Sequence, residues 1–449
     1  MEIKRKAYRQ LLDWKGSTDT SKAMMIKGAR RVGKSFLVEH FAENEYRSHI
    51  MIDFSSPRDN TIRIFEEYGN REMLNEFFNQ LSVLYGVPLY ERDSIIIFDE
   101  VQKYPKAREL VKHLVADGRY DFLETGSLIS IKKNTKDILI PSEEDEMFLY
   151  PLDFEEFLEA IGDNVTYSFL KNSWEQNKPL GNLLKTVNER LRLYMIVGGM
   201  PQAVIAYAET ANYDAVEMAK RRIVKLYRED IAKYADNYVA EATAIFNSMP
   251  SQLAKHDKKL KYSALIPGKR SGNFSDAVFW IGDSMVGNLC YAMDEPALFD
   301  GFALNSDKLK CYMGDTGLLL TLSAGEGYLQ DEMYKKFVQG HLSVNQGMMT
   351  ENLVAQMLTA NHHPLRFYET YAEDENGRIK KYEVDFLLRT GRKVTPVEVK
   401  SGNAAKHASI DFMAKKFKGR IDKGIILTKG DLRETEDYRY IPLAMVMFI

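Results

Sequence analysis

The sequence predicts an α/β fold in which helices cover a parallel β-sheet, and three features support this prediction. A glycine-rich segment, Gly28–Ser35, matches the phosphate-binding loop pattern G-x-x-x-x-G-K-[ST]. The run Ser94–Phe98 is rich in β-branched residues, is typical of a parallel strand covered on both faces, and ends in Asp99 and Glu100. Strand and helix patterns alternate as far as Tyr150, which is typical of right-handed β–α–β crossovers.

The glycine-rich segment has the residue types that phosphate binding requires. Gly28 and Gly33 allow a positive φ and a close approach to an anion. The N–H groups of the loop and of the following helix then converge on the phosphates, while Lys34 reaches the β- and γ-phosphates and Ser35 holds Mg²⁺. We therefore expect ATP and Mg²⁺ as cofactors, with these nucleotide contacts: Gly28, Ala29, Arg30, Arg31, Val32, Gly33, Lys34, Ser35 and Phe36.

The acidic end of the β-branched run supplies the other groups that phosphoryl transfer needs. Asp99 fits the role of metal ligand, and Glu100 fits the role of the base that activates a water. Taken alone, these acids also fit a core strand with a solvated acidic turn, just as the loop fits a glycine turn with Lys34 on the surface. Because the two motifs occur together, we predict a nucleotide site.

A later strand pattern, at 120–125, ends in two hydroxyl side chains, Thr125 and Ser127. They lie at the carboxyl end of the strand, which is the edge where open α/β sheets bind ligands. Either hydroxyl could sense the γ-phosphate, or it could cap its own turn.

Composition narrows the class of protein. The chain has 449 residues, of which 45% are hydrophobic and 28% charged, as in ordinary globular proteins. Its formal net charge of -3 gives no global attraction to nucleic acid, so any such contact must come from local patches. The two cysteines favour neither a disulfide scaffold nor a zinc site and suit a reducing cytoplasm. No run resembles a signal peptide or a membrane span, so we expect a cytoplasmic protein without a membrane partner.

The middle of the chain is mostly helical in pattern. Gly198–Pro201 ends one helix and starts the next, either as part of a helical lid over the nucleotide or as a plain helix–helix turn. Farther on, Lys255–Lys261 and Lys269–Arg270 form a basic stretch around a small apolar cluster. This stretch could contact DNA phosphates, or it could form a solvated helix face or a protein-docking surface.

Two strand patterns near the end of the chain, 382–388 and 394–400, surround a turn at 389–392. Alternation places Glu398 and Lys400 on one face of their strand. If the hairpin closes at the turn, Glu383 lies roughly opposite Glu398. Like charges in that position are unfavourable, and a bound Mg²⁺ would relieve them. A half-buried hairpin with a polar outer face explains the same pattern without any chemistry.

Five of these stretches together resemble a prokaryotic family of AAA-type ATPases: Gly28–Ser35, Ile95–Glu100, Thr125–Ser127, Tyr150–Leu152 and Gly198–Pro201. Family members typically carry a winged-helix segment and a C-terminal restriction-endonuclease-like domain. The resemblance implies ATP hydrolysis and an AAA+ sheet in which the strand ending at Thr125 lies between the loop strand and the Ile95–Asp99 strand. It leaves the arginine finger unassigned, since the candidates also fit solvated surface arginines: Arg30, Arg31, Arg221, Arg222 and Arg228.

The C-terminal hairpin adds a second resemblance. Asp385 and the triplet Glu398–Lys400 resemble the PD-(D/E)xK nuclease signature, without the proline before the first acid. Glu351 matches the helical acid that often joins this signature. The resemblance implies metal ligation by Glu351, Asp385 and Glu398, with Asp385, Glu398 and Lys400 as catalytic residues. The same fold can also serve as a binding or docking module.

These inferences predict an α/β protein with a P-loop NTPase core, a helical lid, a winged-helix module and a restriction-endonuclease-like domain. The expected bounds are 1–165, 166–239, 240–330 and 331–449. The expected function is Mg²⁺-dependent ATP hydrolysis, with Lys34 and Glu100 as catalytic residues, coupled to DNA binding or processing and to metal-dependent cleavage. The alternative is a nucleotide-controlled switch or scaffold that binds a protein partner and has a non-catalytic C-terminal domain. A homo-oligomer is compatible with both.

Overall fold

The chain divides into two compact units in a computed structural model, which describes residues 3–17, 22–127, 144–295, 304–325, 327, 331–340, 346–373, 377–400 and 407–449. We call Glu2–Tyr150 with Asp283–Met285 the P-loop unit. We call Pro151–Gly282 with Val286–Ile449 the C-terminal unit. None of the helices in the described part of the chain is long and apolar enough to cross a membrane.

The P-loop unit alternates strands and helices, as the sequence predicts. Its elements are α1 (Lys6–Lys15), β1 (Ala23–Gly28), α2 (Lys34–Glu45), β2 (Ser48–Asp53), α3 (Thr61–Tyr68), α4 (Leu74–Tyr85), β3 (Ser94–Asp99), α5 (Lys106–Asp117), β4 (Asp121–Gly126) and β5 (Glu144–Leu149).

The five strands form one sheet in the order β2-β3-β4-β1-β5, and every neighbouring pair is parallel. Strands β1 and β3 are buried along their whole length, because one apolar core lies against α3, α4 and α5 and another lies against α1 and α2. The predicted α/β class with a P-loop sheet is confirmed. Strand β4 lies between β1 and β3, as the AAA+ resemblance implies.

The C-terminal unit combines a helical region with two further sheets. Its helices are α6 (Phe154–Ala160), α7 (Asn164–Glu175), α8 (Leu184–Val197), α9 (Pro201–Thr210), α10 (Tyr213–Tyr234), α11 (Val239–Leu253), α12 (Tyr262–Leu265), α13 (Ser275–Asp283), α14 (Thr316–Ser323), α15 (Asp331–Val338), α16 (Gln346–Ala360) and α17 (Ala408–Lys416). Its strands are β6 (Gly287–Met293), β7 (Leu304–Met313), β8 (Arg366–Glu373), β9 (Ile379–Val384), β10 (Phe386–Thr390), β11 (Lys393–Lys400), β12 (Gly424–Thr428), β13 (Arg433–Glu434) and β14 (Tyr438–Pro442).

The two sheets have the strand orders β7-β6-β8-β9 and β10-β11-β12-β14-β13. In the first sheet, β6 pairs antiparallel with β7 and parallel with β8. This sheet therefore contains strands from both sides of residue 330, where the sequence predicts a domain boundary. The four-domain division remains a prediction.

The predicted C-terminal hairpin is only partly present. Strands β10 and β11 pair antiparallel around the predicted turn, but the chain bends at Asp385 and β9 joins the other sheet. The expectation that Glu383 lies opposite Glu398 is wrong, because Glu383 pairs with Glu369 on β8. At the bend, the Asp385 carboxylate accepts a hydrogen bond from the Val399 N–H on β11 at 2.9 Å.

The turn at Gly198–Pro201 is a close-packed point within the C-terminal unit. A Cβ atom at Gly198, where φ is 82°, would collide with the Asp315 carboxylate, and one at Gly199 would collide with the Leu152 carbonyl. The Gly199 N–H donates to Asp315 Oδ2 at 2.6 Å. Glycine is thus required for α8 to end and α9 to begin here, while a role as a lid over the nucleotide remains a prediction.

Candidate functional site

The phosphate-loop candidate connects the end of β1 to the start of α2, at the carboxyl edge of the parallel sheet. Gly33 has a φ of 98° and Arg31 a φ of 69°, so two residues of the loop adopt the left-handed region. A Cβ atom at Gly28 would lie 2.5 Å from the Leu149 carbonyl oxygen. These conformations curl the loop around the N-terminus of α2, where backbone N–H groups favour an anion.

Lys34 lies inside this loop. Its side chain is buried, and its Nζ donates to the carbonyl oxygens of Gly28 at 2.9 Å and Ala29 at 3.1 Å. Burial lowers the pKa of Lys34, and the nearby acids Glu100 and Asp99 oppose that shift. The ammonium group is therefore held by neutral acceptors that a phosphate could replace.

The predicted metal ligands are adjacent. Ser35 Oγ donates to Asp99 Oδ1 at 3.0 Å, and Thr125 Oγ1 donates to the same carboxylate oxygen. The Glu100 N–H in turn donates to Thr125 Oγ1 at 3.3 Å. Burial raises the pKa of Asp99, whereas the two hydroxyl hydrogen bonds lower it. A carboxylate and a hydroxyl at the end of β3 and the start of α2 are the hard oxygen donors that suit Mg²⁺.

Of the two predicted hydroxyl sensors, Thr125 contacts the acid, and Ser127 lies just past the end of β4. Phe36 is 53% exposed on the first turn of α2, and its ring stacks on that of His40 with the centroids 6.0 Å apart. Arg30 and Arg31 are exposed on the loop, and Val32 is buried.

The sequence analysis missed two groups that hold this site. Gln102 is only 3% exposed, and its amide Nε2 donates to Glu100 Oε2. Glu100 itself has a φ of 52°, a strained conformation for a non-glycine residue and one that often occurs at functional sites. Arg5 donates to the Val32 carbonyl at 3.0 Å and to the Tyr150 carbonyl at 2.7 Å, which ties the loop to the end of β5. No motif signals either residue.

Two of the predicted nuclease residues, Glu351 and Asp385, lie around a lysine side chain. Glu351 on α16 and Asp385 lie 3.4 Å and 3.9 Å from the Nζ of Lys310 on β7. Glu398 pairs with Lys400 on β11 at 2.6 Å. Within the described ranges, no group of three or more histidine, cysteine, aspartate or glutamate side chains could hold a metal ion.

Three of the lysines predicted to contact DNA have acidic partners on other elements of the C-terminal unit, whereas Lys255 and Lys261 are exposed or half-exposed. Lys258 pairs with Glu351, and Lys259 pairs with Glu369 at 2.6 Å. Lys269 pairs with Glu241 on α11.

The lid arginines also have protein partners or lie at the surface. Arg221 pairs with Glu217 at 2.9 Å, Arg228 bonds the side chain of Asn247, and Arg222 is exposed on α10. None of these contacts tests the arginine-finger assignment.

Three family models match consecutive parts of the chain. A model described as an AAA domain matches residues 20–158. Two models described as domains of unknown function, DUF8612 and DUF4143, match residues 188–327 and 346–446. A search of curated proteins found no match.

Among solved structures, similarity extends over long stretches at low identity. The chain is similar to a chain in the structure of Drosophila ORC bound to DNA, with 12% identity, a TM-score of 0.30 and coverage of 72% of this chain and 96% of that one. Cdc6p from Pyrobaculum aerophilum gives 10% identity, a TM-score of 0.25 and coverage of 75% and 94%. Protein VC1899 from Vibrio cholerae gives 9% identity, a TM-score of 0.19 and coverage of 95% of this chain and 95% of that one. At these TM-scores the similarities carry no argument about function.

The AAA-domain match covers the five-stranded parallel sheet, the glycine-rich loop and the acid-ended strand β3. The regions that follow match only models without a known function. Residues 20–158 therefore form an AAA-type domain with a P-loop sheet, and residues 188–327 and 346–446 match domains of unknown function.

Proposed function

We propose that the P-loop unit binds ATP together with Mg²⁺ and hydrolyses it, and that the nucleotide state controls what the C-terminal unit binds. The observation that carries the first part is the junction at Asp99 Oδ1, where the hydroxyls of Ser35 and Thr125 converge 3.0 Å or less from one carboxylate oxygen. Lys34 lies in the adjacent loop, so the groups for phosphate, metal and water are close together.

In this proposal each residue has one task. Lys34 exchanges the two loop carbonyls for the β- and γ-phosphates, since an ammonium forms stronger hydrogen bonds with phosphate than with a neutral acceptor. Ser35 and Asp99 would hold the Mg²⁺, which when bound neutralises charge on the phosphates. Thr125 connects Asp99 to the backbone of Glu100, so that the metal ligand and the base are positioned by one hydroxyl.

Glu100 acts as the base. A water attacks the γ-phosphorus, the bond to the bridging oxygen breaks, and the proton of the water passes to the Glu100 carboxylate, which yields ADP and inorganic phosphate. Gln102 donates to Glu100 Oε2 and would thus orient the carboxylate that accepts the proton.

The test is ATP turnover by the full chain. Lys34→Ala should lower turnover at least about a hundredfold, because the ammonium stabilises charge that develops on the transferred phosphoryl group. Lys22→Ala is the matched control: Lys22 lies in the same unit just before β1, pairs with Asp145 at 3.0 Å and should leave turnover unchanged. Turnover that survives Lys34→Ala would refute the assignment.

The task that ATP serves has two candidates, and the contacts favour one of them. DNA binding or processing needs free cations on a surface, whereas Lys258, Lys259 and Lys269 pair with carboxylates of their own unit. This pairing supports the nucleotide-controlled switch that binds a protein partner. ATP turnover with and without duplex DNA at low salt distinguishes the two, because stimulation by DNA, lost on salt addition, would favour DNA processing.

A further inference from the structure

The centre of the predicted nuclease site holds a buried lysine. Lys310 has no exposed side-chain surface, and its Nζ lies 2.6 Å from Glu383 Oε1, 3.4 Å from Glu351 Oε1 and 3.9 Å from Asp385 Oδ1. Glu351 and Asp385 are two of the three acids that the nuclease resemblance assigns to a divalent metal. The ammonium group thus lies among the carboxylates where the resemblance implies a metal ion.

Strand β7 delivers this lysine by simple alternation. Residues 308, 310 and 312 point to one side of the strand, and the side chains of Lys310 and Tyr312 both reach Glu351. Lys308, two residues earlier, reaches Glu369 at 3.6 Å instead. The acids come from α16, from β9 and from the bend before β10, so the lysine connects three separate elements of the C-terminal unit.

The carboxylates around Lys310 already have protein partners on each oxygen. Glu351 Oε1 contacts Lys310 and Tyr312, and its Oε2 contacts Lys258. The two oxygens of Glu383 contact Lys310 and Lys381. The two oxygens of Asp385 contact Lys310 and the Val399 N–H. Three ammonium groups therefore face these three carboxylates, and Lys381 is shared with Glu369 and Asp257. A metal ion would have to compete with a lysine for both oxygens of Glu351, both oxygens of Glu383 and Oδ1 of Asp385.

The lysine keeps its charge in this position. Burial disfavours the charged form, but Glu351, Glu383 and Asp385 outweigh burial and hold the pKa of Lys310 well above its usual value. An ammonium a few ångströms from a divalent cation in a buried site would repel it strongly, because little solvent screens the two charges. The residues present do not fit a Mg²⁺ ion held by Glu351 and Asp385.

We propose that Lys310 is the resident cation of this acidic centre and takes the place of a divalent metal. The centre then serves as an internal ionic cross-link between β7, α16 and β9. The C-terminal domain would act as a binding module rather than as a metal-dependent nuclease. This inference is independent of the nucleotide site.

The test is Mn²⁺ binding to the full chain, followed by electron paramagnetic resonance without nucleotide. All variants carry Asp99→Asn, which removes the proposed metal ligand of the P-loop unit. We expect the parent to bind no Mn²⁺ through Glu351 or Asp385. Lys310→Met should bind one Mn²⁺ per chain at these acids, where the parent binds none, because the repelling charge is gone, and adding Glu351→Gln should abolish the gain.

Lys308→Met is the matched control, since it removes a lysine from the same face of β7 without touching Glu351, and it should gain no Mn²⁺. If Lys310→Met does not fold, Lys310→Met with Glu383→Gln removes one charge of each sign and leaves Glu351 and Asp385 as ligands. Mn²⁺ in the parent that Asp385→Asn removes would overturn the proposal. So would a folded Lys310→Met variant, single or double, that gains no Mn²⁺.

Discussion

The two acidic centres of this protein differ in what faces their carboxylates. In the P-loop unit, Asp99 accepts hydrogen bonds from the hydroxyls of Ser35 and Thr125, which are neutral donors. In the C-terminal unit, Glu351 faces ammonium groups, those of Lys310 and Lys258. The hydroxyl partners of Asp99 leave its negative charge for a metal to neutralise, whereas the lysine partners of Glu351 already balance its charge.

An acid at the end of a strand, with a lysine nearby, does not by itself define a metal site. Both centres have those residue types. In the first, Lys34 bonds to loop carbonyls rather than to the acid. In the second, the lysine is inserted between the acids. The partner of the lysine therefore decides which centre is open to a metal.

The largest expected difference between the centres is in ATP turnover. Asp99→Asn should lower Mg²⁺-dependent turnover at least about a hundredfold, because a metal held in place supplies several kcal/mol of charge stabilisation. Asp385→Asn removes the same atom from the other centre and should leave turnover close to that of the wild type. Steady-state phosphate release at saturating ATP measures both, and equal losses would contradict the distinction between the centres.

The free energy of unfolding, in contrast to ATP turnover, should depend on the acidic centre of the C-terminal unit. Lys310→Met leaves buried carboxylates without a counter-charge, and removing one partner of a buried ion pair typically costs about 3–5 kcal/mol. Lys308→Met, whose side chain is 34% exposed, should cost less than about 1 kcal/mol. Urea unfolding followed by far-ultraviolet circular dichroism measures both variants. A Lys310→Met chain as stable as the wild type would show that the cross-link does not exist.

The pH dependence of the free energy of unfolding tests the acidic centre around Lys310. Burial, and then the charge of Glu351, raises the pKa of Asp385 from 3.8 to about 7. The folded state therefore binds more protons than the unfolded state between these values, so this group makes the chain less stable as pH rises through that window. The slope is at most about 1.4 kcal/mol per pH unit for one proton.

Glu383 should act with the opposite sign. Although burial opposes it, the charges of Lys310 and Lys381 lower the pKa of Glu383 from 4.5 to about 2. Its contribution to stability is present above pH 4.5 and is lost as pH falls toward 2. Urea midpoints across pH should thus flatten between 4 and 7 in Asp385→Asn and below 4.5 in Glu383→Gln. A profile unchanged in both variants would argue against a coupled centre.

The sequence predicts the elements of the candidate nucleotide site because each is marked by a short pattern, although Ser35 and Asp99 lie 64 residues apart. The glycines of the loop and the strand on each side follow from such patterns, and the family resemblance implies the position of β4 in the sheet. Lys310 could not be predicted this way, since no short pattern marks it and it reaches Glu351 only because β7 and α16 pack together. The bend at Asp385 has the same origin, because the residue that it bonds, Val399, is 14 positions away. Long-range pairing, rather than residue type, decides the second centre.

The smallest expected effect concerns Gln102, which a motif search does not find because it lies outside the acid-ended strand. Its amide donates to Glu100 Oε2, so Gln102→Ala removes one hydrogen bond from the proposed base. A bond to a charged group contributes about 1.5–3 kcal/mol, and loss of orientation should lower kcat roughly tenfold. The KM for ATP should stay unchanged, because the hydrogen bond from Gln102 to Glu100 acts on the base rather than on the nucleotide. A variant with a raised KM and the original kcat would contradict this role and would indicate that Gln102 acts in nucleotide binding instead.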